Sequence, residues 1–362
     1  MNDDKHEDIP DENDAARTAF RRVTMMDVAR AAGVSQSSVS LVLNGMTGAR
    51  ISEVTRQRVI AAARELGYML PYFRRNLSHA PGHTIAYLAD ELSTTVFPVQ
   101  NIDGARDAAW ESGFLISTHA TRSNRELETA TIAAVRRNPE LIGVIYATIF
   151  TRRIELPPAL EGMPTVLLNC HADDPAAVSV VPGEVAGGFT ATMYLIRHGH
   201  RSIGFINGEP WMDATTERLA GYRQALASVD IAFDSELVLD GDWLPESGYS
   251  GLKTLMARRH PPTAIFCGND WMAAGAIEAA RELGLSVPED LSLIGYDDQV
   301  VASYTRPPLT TVVLPNYEMG RKAADLLIDG VVHGKPPPAR LIKIDGQVIE
   351  RASVAPPRNA RP

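Results

Sequence analysis

The sequence has little cysteine and no long apolar run. Its two cysteines, Cys170 and Cys267, are too few for a disulfide framework, so we expect two buried thiols in a reducing compartment. No run of about eighteen apolar residues occurs, which argues against a membrane-spanning helix. The N-terminal stretch, M-N-D-D-K-H-E-D-I-P-D-E-N-D, lacks the apolar segment of a secretory signal. The sequence therefore predicts a cytoplasmic protein.

Motifs of common enzymes and metal sites are also absent. There is no P-loop, no G-x-S-x-G and no H-E-x-x-H. The stretch S-G-L-K at 250–253 fits S-x-x-K, but the S-D-N and K-T-G that accompany it in β-lactamases are missing. His198 and His200 stand two residues apart before a predicted strand, a spacing typical of structural histidines. We expect no catalytic residue, no metal and no cofactor.

Charge is distributed unevenly along the chain. Residues 1–16 carry seven acidic residues against one lysine, and with so little to bury they are expected to be disordered. Residues 17–80 carry ten arginines against three carboxylates, a net charge of +7. Residues 81–362 carry a net charge of −10, so the whole-chain value of −9 hides a basic module. Such a module is typical of phosphate binding, as in DNA recognition.

Within the basic module, the residue types fit a helix-turn-helix. Ala29 lets two helices approach, Gly33 makes the turn, and Val39 and Val42 are expected to pack back on the first helix. The residues left facing outward are Gln36, Ser37, Ser38 and Leu41. In a helix-turn-helix this face enters the major groove. Alternatively, this face could be the solvent-exposed side of a three-helix bundle. The turn spacing and the basic charge favour a DNA-binding helix-turn-helix.

Two serines mark expected helix starts in this module. Ser35 and Ser52 precede the second and third helices as N-caps, because a serine hydroxyl can accept from a free backbone N–H there. Residues 70–82, L-P-Y-F-R-R-N-L-S-H-A-P-G, have prolines at both ends and are expected to form a hinge.

Beyond the hinge, short apolar runs alternate with helical stretches. The expected strands are 84–89, 114–117, 141–147, 164–168, 203–206, 263–267 and 291–295. The expected helices are 101–112, 124–138, 184–197, 215–228, 246–259 and 271–283. This alternation predicts parallel sheets in a doubly wound fold. About 270 residues are too many for one core, so we expect two α/β subdomains.

Several motifs closely resemble the LacI/GalR family of bacterial transcription regulators. The N-terminal ones are V-T-M-M-D-V-A-R-A-A-G-V-S-Q-S-S-V-S-L-V-L-N-G and T-R-Q-R-V-I-A-A-A-R-E-L-G-Y. The later ones are R-H-G-H-R-S-I-G-F-I, E-R-L-A-G-Y-R, F-C-G-N-D-W-M-A-A-G-A, V-P-E-D-L-S-L-I-G-Y-D-D and P-P-L-T-T-V, so the resemblance spans Val23 to Pro356. It implies an all-α helix-turn-helix domain joined to an α/β two-subdomain, periplasmic-binding-protein-like core with parallel sheets. It also implies a homodimer on a pseudo-palindromic operator, in most members as a repressor, controlled by a small-molecule effector.

Carried over residue by residue, the resemblance assigns base reading to Gln36, Ser37 and Leu41. Glutamine can pair bidentately with adenine, whereas leucine offers only apolar contact, as to a thymine methyl. The implied DNA-backbone contacts are Thr24, Ser35, Ser38 and Asn44. Leu77 matches the leucine that the family inserts into the minor groove, beside Arg74 and Arg75. The alternative is a linker leucine that packs on the core. This hinge also departs from the family, with a shifted Pro71 and with Arg74 in place of alanine.

The implied effector site lies between the core subdomains. Its residues are Phe97, Arg218, Trp243, Asn269 and Asp297. Asn269 and Asp297 follow predicted strands, where polar groups point into such a cleft. Two alternatives remain open. Trp243 could pack in the hydrophobic core, and Arg218 could form a structural ion pair with Asp297.

Two neighbouring features of this cleft differ in their expected roles. Asp270 is expected to cap the helix that follows it. The Asp-Asn pair frequent in the family before Gly187 is absent, and Glu184 stands nearby. The effector expected from the resemblance is a sugar or sugar derivative.

These predictions divide the chain into five parts. They are an acidic tail (1–22), the helix-turn-helix domain (23–69), the hinge (70–82), the two-lobed core (83–355) and a flexible tail (356–362). The final residues carry no leucine heptad for a tetramer, so a dimer is expected.

Three other functions are alternatives to a ligand-controlled transcription regulator. A solute-binding protein of a transport system would need a signal peptide. A Rossmann enzyme would need G-x-G-x-x-G where this chain reads L-A-D-E-L-S-T-T-V-F. A constitutive DNA binder with a vestigial cleft would show no ligand dependence.

Overall fold

The computed structural model describes residues 25–35, 38, 39, 42, 51–65, 83–92 and 97–358. Contacts divide the chain into two units, Met1–Ala80 and Pro81–Pro362. The predicted acidic tail and hinge lie outside the described residues, so the five-part division of the chain stays a prediction. No helix in the described ranges is long and apolar enough to cross a membrane.

The N-terminal unit has the helical packing that the sequence predicts. Its described helices are α1 (Met25–Ala32) and α2 (Glu53–Glu65), and residues 38, 39 and 42 between them are also helical. The buried apolar cluster consists of Val28, Ala29, Ala32, Val39, Val42, Val59, Ala62 and Ala63. The predicted inward positions of Ala29, Val39 and Val42 are therefore confirmed.

The turn and the two serine caps of this unit are also confirmed. Gly33 has a φ of +62°, a conformation that costs glycine little, and it ends α1. The Ser35 hydroxyl accepts a hydrogen bond from the backbone N–H of Ser38 at 3.2 Å. Ser52 accepts in the same way from Thr55 at 3.1 Å. Each serine satisfies a backbone donor that a helix start would otherwise leave free.

The C-terminal unit contains two six-stranded sheets, each the centre of one lobe. The N-lobe strands are β1 (Thr84–Ala89), β2 (Leu115–Ala120), β3 (Leu141–Arg153), β4 (Thr165–His171), β5 (Val178–Pro182) and β11 (Leu341–Ile344). Their order is β11-β5-β4-β3-β1-β2, and every pairing is parallel. The N-lobe helices are α3 (Phe97–Glu111), α4 (Arg125–Val135) and α10 (Asn316–Val332). Helices α3 and α10 pack on one face of the sheet, and α4 packs on the other.

The C-lobe repeats this arrangement. Its strands are β6 (Ile203–Ile206), β7 (Val238–Leu239), β8 (Ala264–Cys267), β9 (Ser292–Asp297), β10 (Thr310–Val313) and β12 (Val348–Ile349). Their order is β12-β10-β9-β8-β6-β7, and only the β10–β12 pairing is antiparallel. The helices are α5 (Glu184–Arg197), α6 (Asp213–Ala227), α7 (Pro245–Met256), α8 (Asp270–Glu282) and α9 (Val300–Tyr304). Single turns of 3₁₀ helix occur at Pro158–Leu160 in the N-lobe and Ser235–Leu237 in the C-lobe.

The two-subdomain α/β core is therefore confirmed, with differences at the element ends. The predicted strand at 141–147 continues to Arg153, past a register shift that follows Ala147. The predicted strand at 114–117 runs instead from Leu115 to Ala120. The chain crosses between the lobes three times, after β5, after β10 and after β11, because strands of each sheet come from separated segments.

Candidate functional site

A cavity of about 200 Å³ lies between the two lobes. Its described lining residues are Ile149, Phe150, Thr151, Asn169, Pro182, Glu184, Met212, Ala214, Arg218, Trp243, Asn269, Asp297 and Leu314. Most of them lie at or just beyond the carboxyl ends of parallel strands, where the side chains that follow a sheet converge. The structure thus brings together four of the five residues assigned to the effector site, Arg218, Trp243, Asn269 and Asp297. The side chain of the fifth, Phe97, lies outside the described residues.

Arg218 is the central charged residue of this cavity, and its first partner is Glu184. Nε donates to Glu184 Oε2 at 2.6 Å and Nη2 donates to Glu184 Oε1 at 2.9 Å. Nη1 donates to the backbone carbonyl of Gly268 at 2.5 Å. Both side chains of the pair are almost fully buried. A two-point guanidinium–carboxylate contact of this kind fixes the geometry of both groups.

Two glycines allow the helices that carry this pair to cross closely. A Cβ on Gly188 of α5 would come 2.3 Å from the Arg218 carbonyl oxygen. A Cβ on Gly221 of α6 would come 2.1 Å from the Val185 carbonyl oxygen. Only hydrogen fits at these two positions, so the helices touch backbone to backbone. This close crossing places Glu184, in the first turn of α5, beside Arg218.

Asp297 lies on the other side of the guanidinium. Its Oδ1 is 3.6 Å from Arg218 Nη2, and its Oδ2 accepts from Gln299 Nε2 at 3.0 Å. Burial raises the pKa of Asp297 to about 7, and the charge of Glu184 adds to the rise, although Arg218 and the Gln299 hydrogen bond oppose it. The proposed Arg218–Asp297 ion pair is thus present as the longer contact, second to the pair with Glu184.

Tyr296 packs its ring against the Arg218 guanidinium. The guanidinium carbon of Arg218 lies 3.7 Å from the centre of the Tyr296 ring, within the range of a cation–π contact. Burial raises the pKa of Tyr296 well above its usual value, so its hydroxyl keeps its proton and can act as a donor. The ring of Trp243 is also near, 5.4 Å from the guanidinium carbon. Arg218 is therefore held by two acidic side chains, one carbonyl and two aromatic rings before any ligand enters.

Asn269 and Trp243 are tied to each other. Asn269 Oδ1 accepts from the Met272 backbone N–H at 2.8 Å, which makes Asn269 the N-cap of α8. Asn269 Nδ2 donates to the Trp243 carbonyl at 2.9 Å, and the indole N–H donates to Met212 Sδ at 2.8 Å. These bonds hold the Trp243 ring at the cavity wall. Each of the two Asn269 side-chain atoms has one protein partner, with capacity for a further bond.

The expected cap at Asp270 is wrong, because the helix begins one residue earlier than predicted. Asp270 is the first residue of α8, and its carboxylate accepts from the Thr311 hydroxyl at 2.6 Å and the Gln299 N–H at 2.7 Å. It therefore joins α8 to β10 and to the loop after β9. Burial raises its pKa well above the usual value.

The N-lobe supplies a wall of the cavity that the sequence did not indicate. Asn169, near the end of β4, has a φ of +58° and accepts from the Thr151 hydroxyl at 2.7 Å. Its amide donates to the Thr148 carbonyl at 3.0 Å. Phe150 provides an aromatic face in the same wall. Asn169 could have been found from its position after the apolar run T-V-L-L, but Phe150 and Thr151 lie beyond the predicted end of their strand.

Three contacts join the lobes beside the cavity, all to one segment of the C-lobe. The rings of Phe150 and Trp211 meet edge to face, with centroids 5.4 Å apart. A second contact links His171 Nε2 to Asp213 Oδ2 at 3.1 Å. The third links Lys343 Nζ to Glu217 Oε1 at 2.9 Å. Residues at the start of α6 therefore contact the N-lobe, while Arg218 on the same helix lines the cavity.

The predicted DNA-contacting residues are mostly outside the described part of the chain. These are Thr24, Gln36, Ser37, Leu41, Asn44, Arg74, Arg75 and Leu77. Ser35 and Ser38 are described, and their hydroxyl oxygens lie 2.9 Å apart. Among the described residues, no cluster of three or more histidine, cysteine or acidic side chains is placed to hold a metal ion.

Comparison with known proteins gives matches along nearly the whole chain. Residues 24–70 match the family of bacterial regulatory proteins called lacI, and residues 192–354 match the periplasmic binding protein-like domain. The HTH-type transcriptional repressor PurR of Serratia proteamaculans is 33% identical over 340 residues, which are 92% of this chain and 97% of that protein. PurR of Yersinia enterocolitica is 34% identical over 340 residues, with the same coverage of both chains.

Solved structures agree with these matches. The complex of the transcriptional regulator CelR with cellobiose has a TM-score of 0.63 at 31% identity, covering 92% of this chain and 100% of that one. The lac repressor dimer bound to operator and the anti-inducer ONPF has a TM-score of 0.64 at 26% identity, with the same coverage. With the helical N-terminal unit and the two-lobed core, these matches show that the chain belongs to the LacI family of bacterial transcriptional regulators.

Proposed function

We propose that this regulator is a repressor whose affinity for operator DNA is set by a small molecule bound in the cavity between the lobes. The observation that carries the proposal is the cavity itself, lined by Arg218, Asp297 and Trp243 and bordered by three contacts between the lobes. The relatives support it, because they include proteins named as repressors and a regulator complexed with cellobiose.

DNA recognition is assigned to the N-terminal unit. Gln36, Ser37 and Leu41 read bases in the major groove, and Leu77 enters the minor groove beside Arg74 and Arg75. The residues that hold the DNA backbone are Thr24, Ser35, Ser38 and Asn44. The burial of Val39 and Val42 supports this assignment, because a helix-turn-helix packs its second helix on the first through such apolar positions.

Control by the effector follows from the position of α6. A ligand that contacts Arg218 from the cavity alters the relation of α6 to the N-lobe, because Trp211, Asp213 and Glu217 hold the two lobes together. The ligand must bind the two lobe arrangements with different affinity, and DNA must then change ligand affinity by the same factor.

The proposed effector is a sugar or sugar derivative. Phe150 and Trp243 offer aromatic faces from opposite lobes, which suit the C–H surface of a sugar ring. Arg218, Asn169 and Asp297 provide donors and acceptors for hydroxyl groups. A volume of about 200 Å³ lies below the 300–1,000 Å³ of common ligand pockets, so a single sugar ring fits better than a long oligosaccharide.

We assign the protein no enzymatic activity, place it in the cytoplasm with the nucleoid, and expect it to act as a homodimer. Three exposed apolar side chains on the N-lobe support the dimer. Val99 and Trp110 on α3 and Leu115 on the edge strand β2 are 51%, 39% and 41% exposed. Large exposed apolar side chains of this kind often mark interfaces with a partner chain.

Selection of DNA fragments bound by the full chain, repeated with candidate metabolites, tests this function. The expected result is enrichment of one pseudo-palindromic sequence, with recovery that rises or falls in the presence of one metabolite class. Enrichment that is indifferent to all metabolites would favour a constitutive DNA binder. The absence of any enriched sequence would contradict the regulator function.

A further inference from the structure

We infer that the cavity selects an effector that carries no phosphate or carboxylate group, because Glu184 already occupies the anion-binding edge of Arg218. The inference rests on the proposed function, in which this cavity is the effector site. The expected ligands are uncharged polyols and similar molecules. Sugar phosphates and sugar acids are excluded.

The geometry of Arg218 is the first argument. Arginine binds phosphate and carboxylate best through two parallel N–H groups. The Nε–Nη2 edge makes that contact with Glu184, at 2.6 and 2.9 Å. The Nη1–Nη2 edge is bordered by Asp297 Oδ1, 3.6 Å from Nη2, and Nη1 also donates to the Gly268 carbonyl. An anion would meet a carboxylate at either edge.

The charge of the cavity wall is the second argument. Among the described residues that line it, Arg218 is the only cation, and the paired Glu184 carboxylate balances its charge. Asp297 adds further negative charge as it ionises near pH 7. The nearby Arg152 is paired with Asp90 at 2.8 Å. Little water is available to screen these charges, since Arg218, Glu184 and the Asp297 carboxylate are each no more than 5% exposed. The wall therefore has no net positive charge to attract an anion, but it can share hydrogen bonds with hydroxyl groups.

Displacement of Glu184 by an anionic ligand is also unfavourable. The carboxylate lies in the first turn of α5 and is 3% exposed, so it has no solvent to enter without movement of the helix. A buried carboxylate that loses its partner is strongly destabilised. An uncharged ligand avoids this, because the remaining N–H groups of Arg218 and the carboxyl oxygens of Asp297 can bind hydroxyls without disturbing the pair.

The test uses the full chain and inorganic phosphate as the probe. The Tm is measured in phosphate and in chloride at equal pH and ionic strength, for the unmodified chain, Glu184→Gln and Glu246→Gln. Glu246→Gln is the matched control, because it removes the same charge from an exposed position on α7. Phosphate bound elsewhere, including the basic N-terminal unit, affects all three proteins equally.

The expected result is an additional Tm rise in phosphate for Glu184→Gln alone, of about 2–4 °C once phosphate exceeds its Kd about fivefold. An equal rise in all three proteins, or a larger rise in the unmodified chain, overturns the inference. If Glu184→Gln does not fold, Asp297→Asn takes its place with a smaller expected rise, and no additional rise again overturns it. Failure of the proposed function is separate, since it appears as operator affinity that no metabolite changes.

Discussion

The Glu184 carboxylate and the Arg218 guanidinium form two hydrogen bonds, 2.6 and 2.9 Å long, between the first turn of α5 and the middle of α6. Both groups are about 3% exposed. The pair belongs to the C-lobe. Glu184 lies only two residues after Pro182, the last residue of the N-lobe strand β5. One ion pair thus joins a crossing segment to the helix that contacts the other lobe.

The first prediction concerns the stability of this pair. Glu184→Ala should lower the free energy of unfolding of the core by about 3–5 kcal/mol, because it leaves a buried guanidinium without a carboxylate. Urea denaturation measures the change. The control is Glu236→Ala, whose surface pair with Arg258 should be worth less than about 1 kcal/mol. Equal losses of unfolding free energy in the two variants would contradict the prediction, because the buried pair would then contribute no more than the surface pair.

The second prediction concerns pH. The pKa of Asp297 is about 7 in the folded chain, against 3.8 in the unfolded chain, so the folded state holds this proton more tightly. The contribution of Asp297 to stability therefore falls as pH rises from about 4 to about 7, and it is constant above pH 7. Asp297→Asn removes this slope, so its stability relative to the unmodified chain should increase with pH by up to about 4 kcal/mol.

Denaturation of both proteins between pH 4 and pH 8 measures this difference, with Glu246→Gln as the control for loss of a charge. The charged groups that face Asp297 are Arg218, Glu184 and Asp270, and all remain in the variant. A difference between the two proteins that stays constant over this range would contradict the raised pKa.

The third prediction concerns base reading. Gln36→Ala should reduce operator affinity by about 1–3 kcal/mol and relax specificity at one base position of each half-site. Binding to a panel of single-base operator variants measures it. Gln57→Ala, an exposed glutamine on α2, serves as the control. Equal weakening on all sequences would instead make Gln36 a phosphate contact.

The fourth prediction concerns the dimer. Val99→Glu should weaken dimerisation, because it puts a charge in place of one of the exposed apolar side chains assigned to the interface. A side chain that is 51% exposed contributes little to the fold of one subunit. Leu127→Glu, on the opposite face of the N-lobe sheet and 41% exposed, is the control. Sedimentation measures both. Unchanged dimerisation of Val99→Glu, or equal loss in the control, would assign the interface elsewhere.

The sequence was sufficient for the parts that local chemistry determines. Gly33, Ser35 and Ser52 have the predicted roles, because turns and caps depend on a few neighbouring residues. Asn269 and Asp297 lie in the cavity because the ends of parallel strands converge.

The rest depends on contacts between distant segments. Glu184 reaches Arg218 only through the close crossing at Gly188 and Gly221, which no local pattern indicates. Phe150 and Thr151 lie beyond the point where the apolar run of β3 ends. The short strands β5, β7 and β12 were not predicted, because two to five residues are too few to show an apolar run.

The most direct test of effector control is the Kd of the full chain for its selected operator, measured by fluorescence anisotropy with and without the metabolite that changes recovery in the selection. Trp243→Leu alters the cavity wall, and Phe233→Leu, which changes a 38% exposed aromatic residue that does not line the cavity, is the control. The expected result is a Kd change of about 5–150-fold in the unmodified chain and in Phe233→Leu, strongly reduced in Trp243→Leu. A Kd that the metabolite leaves unchanged, or a change that persists in full in Trp243→Leu, would contradict control through this cavity.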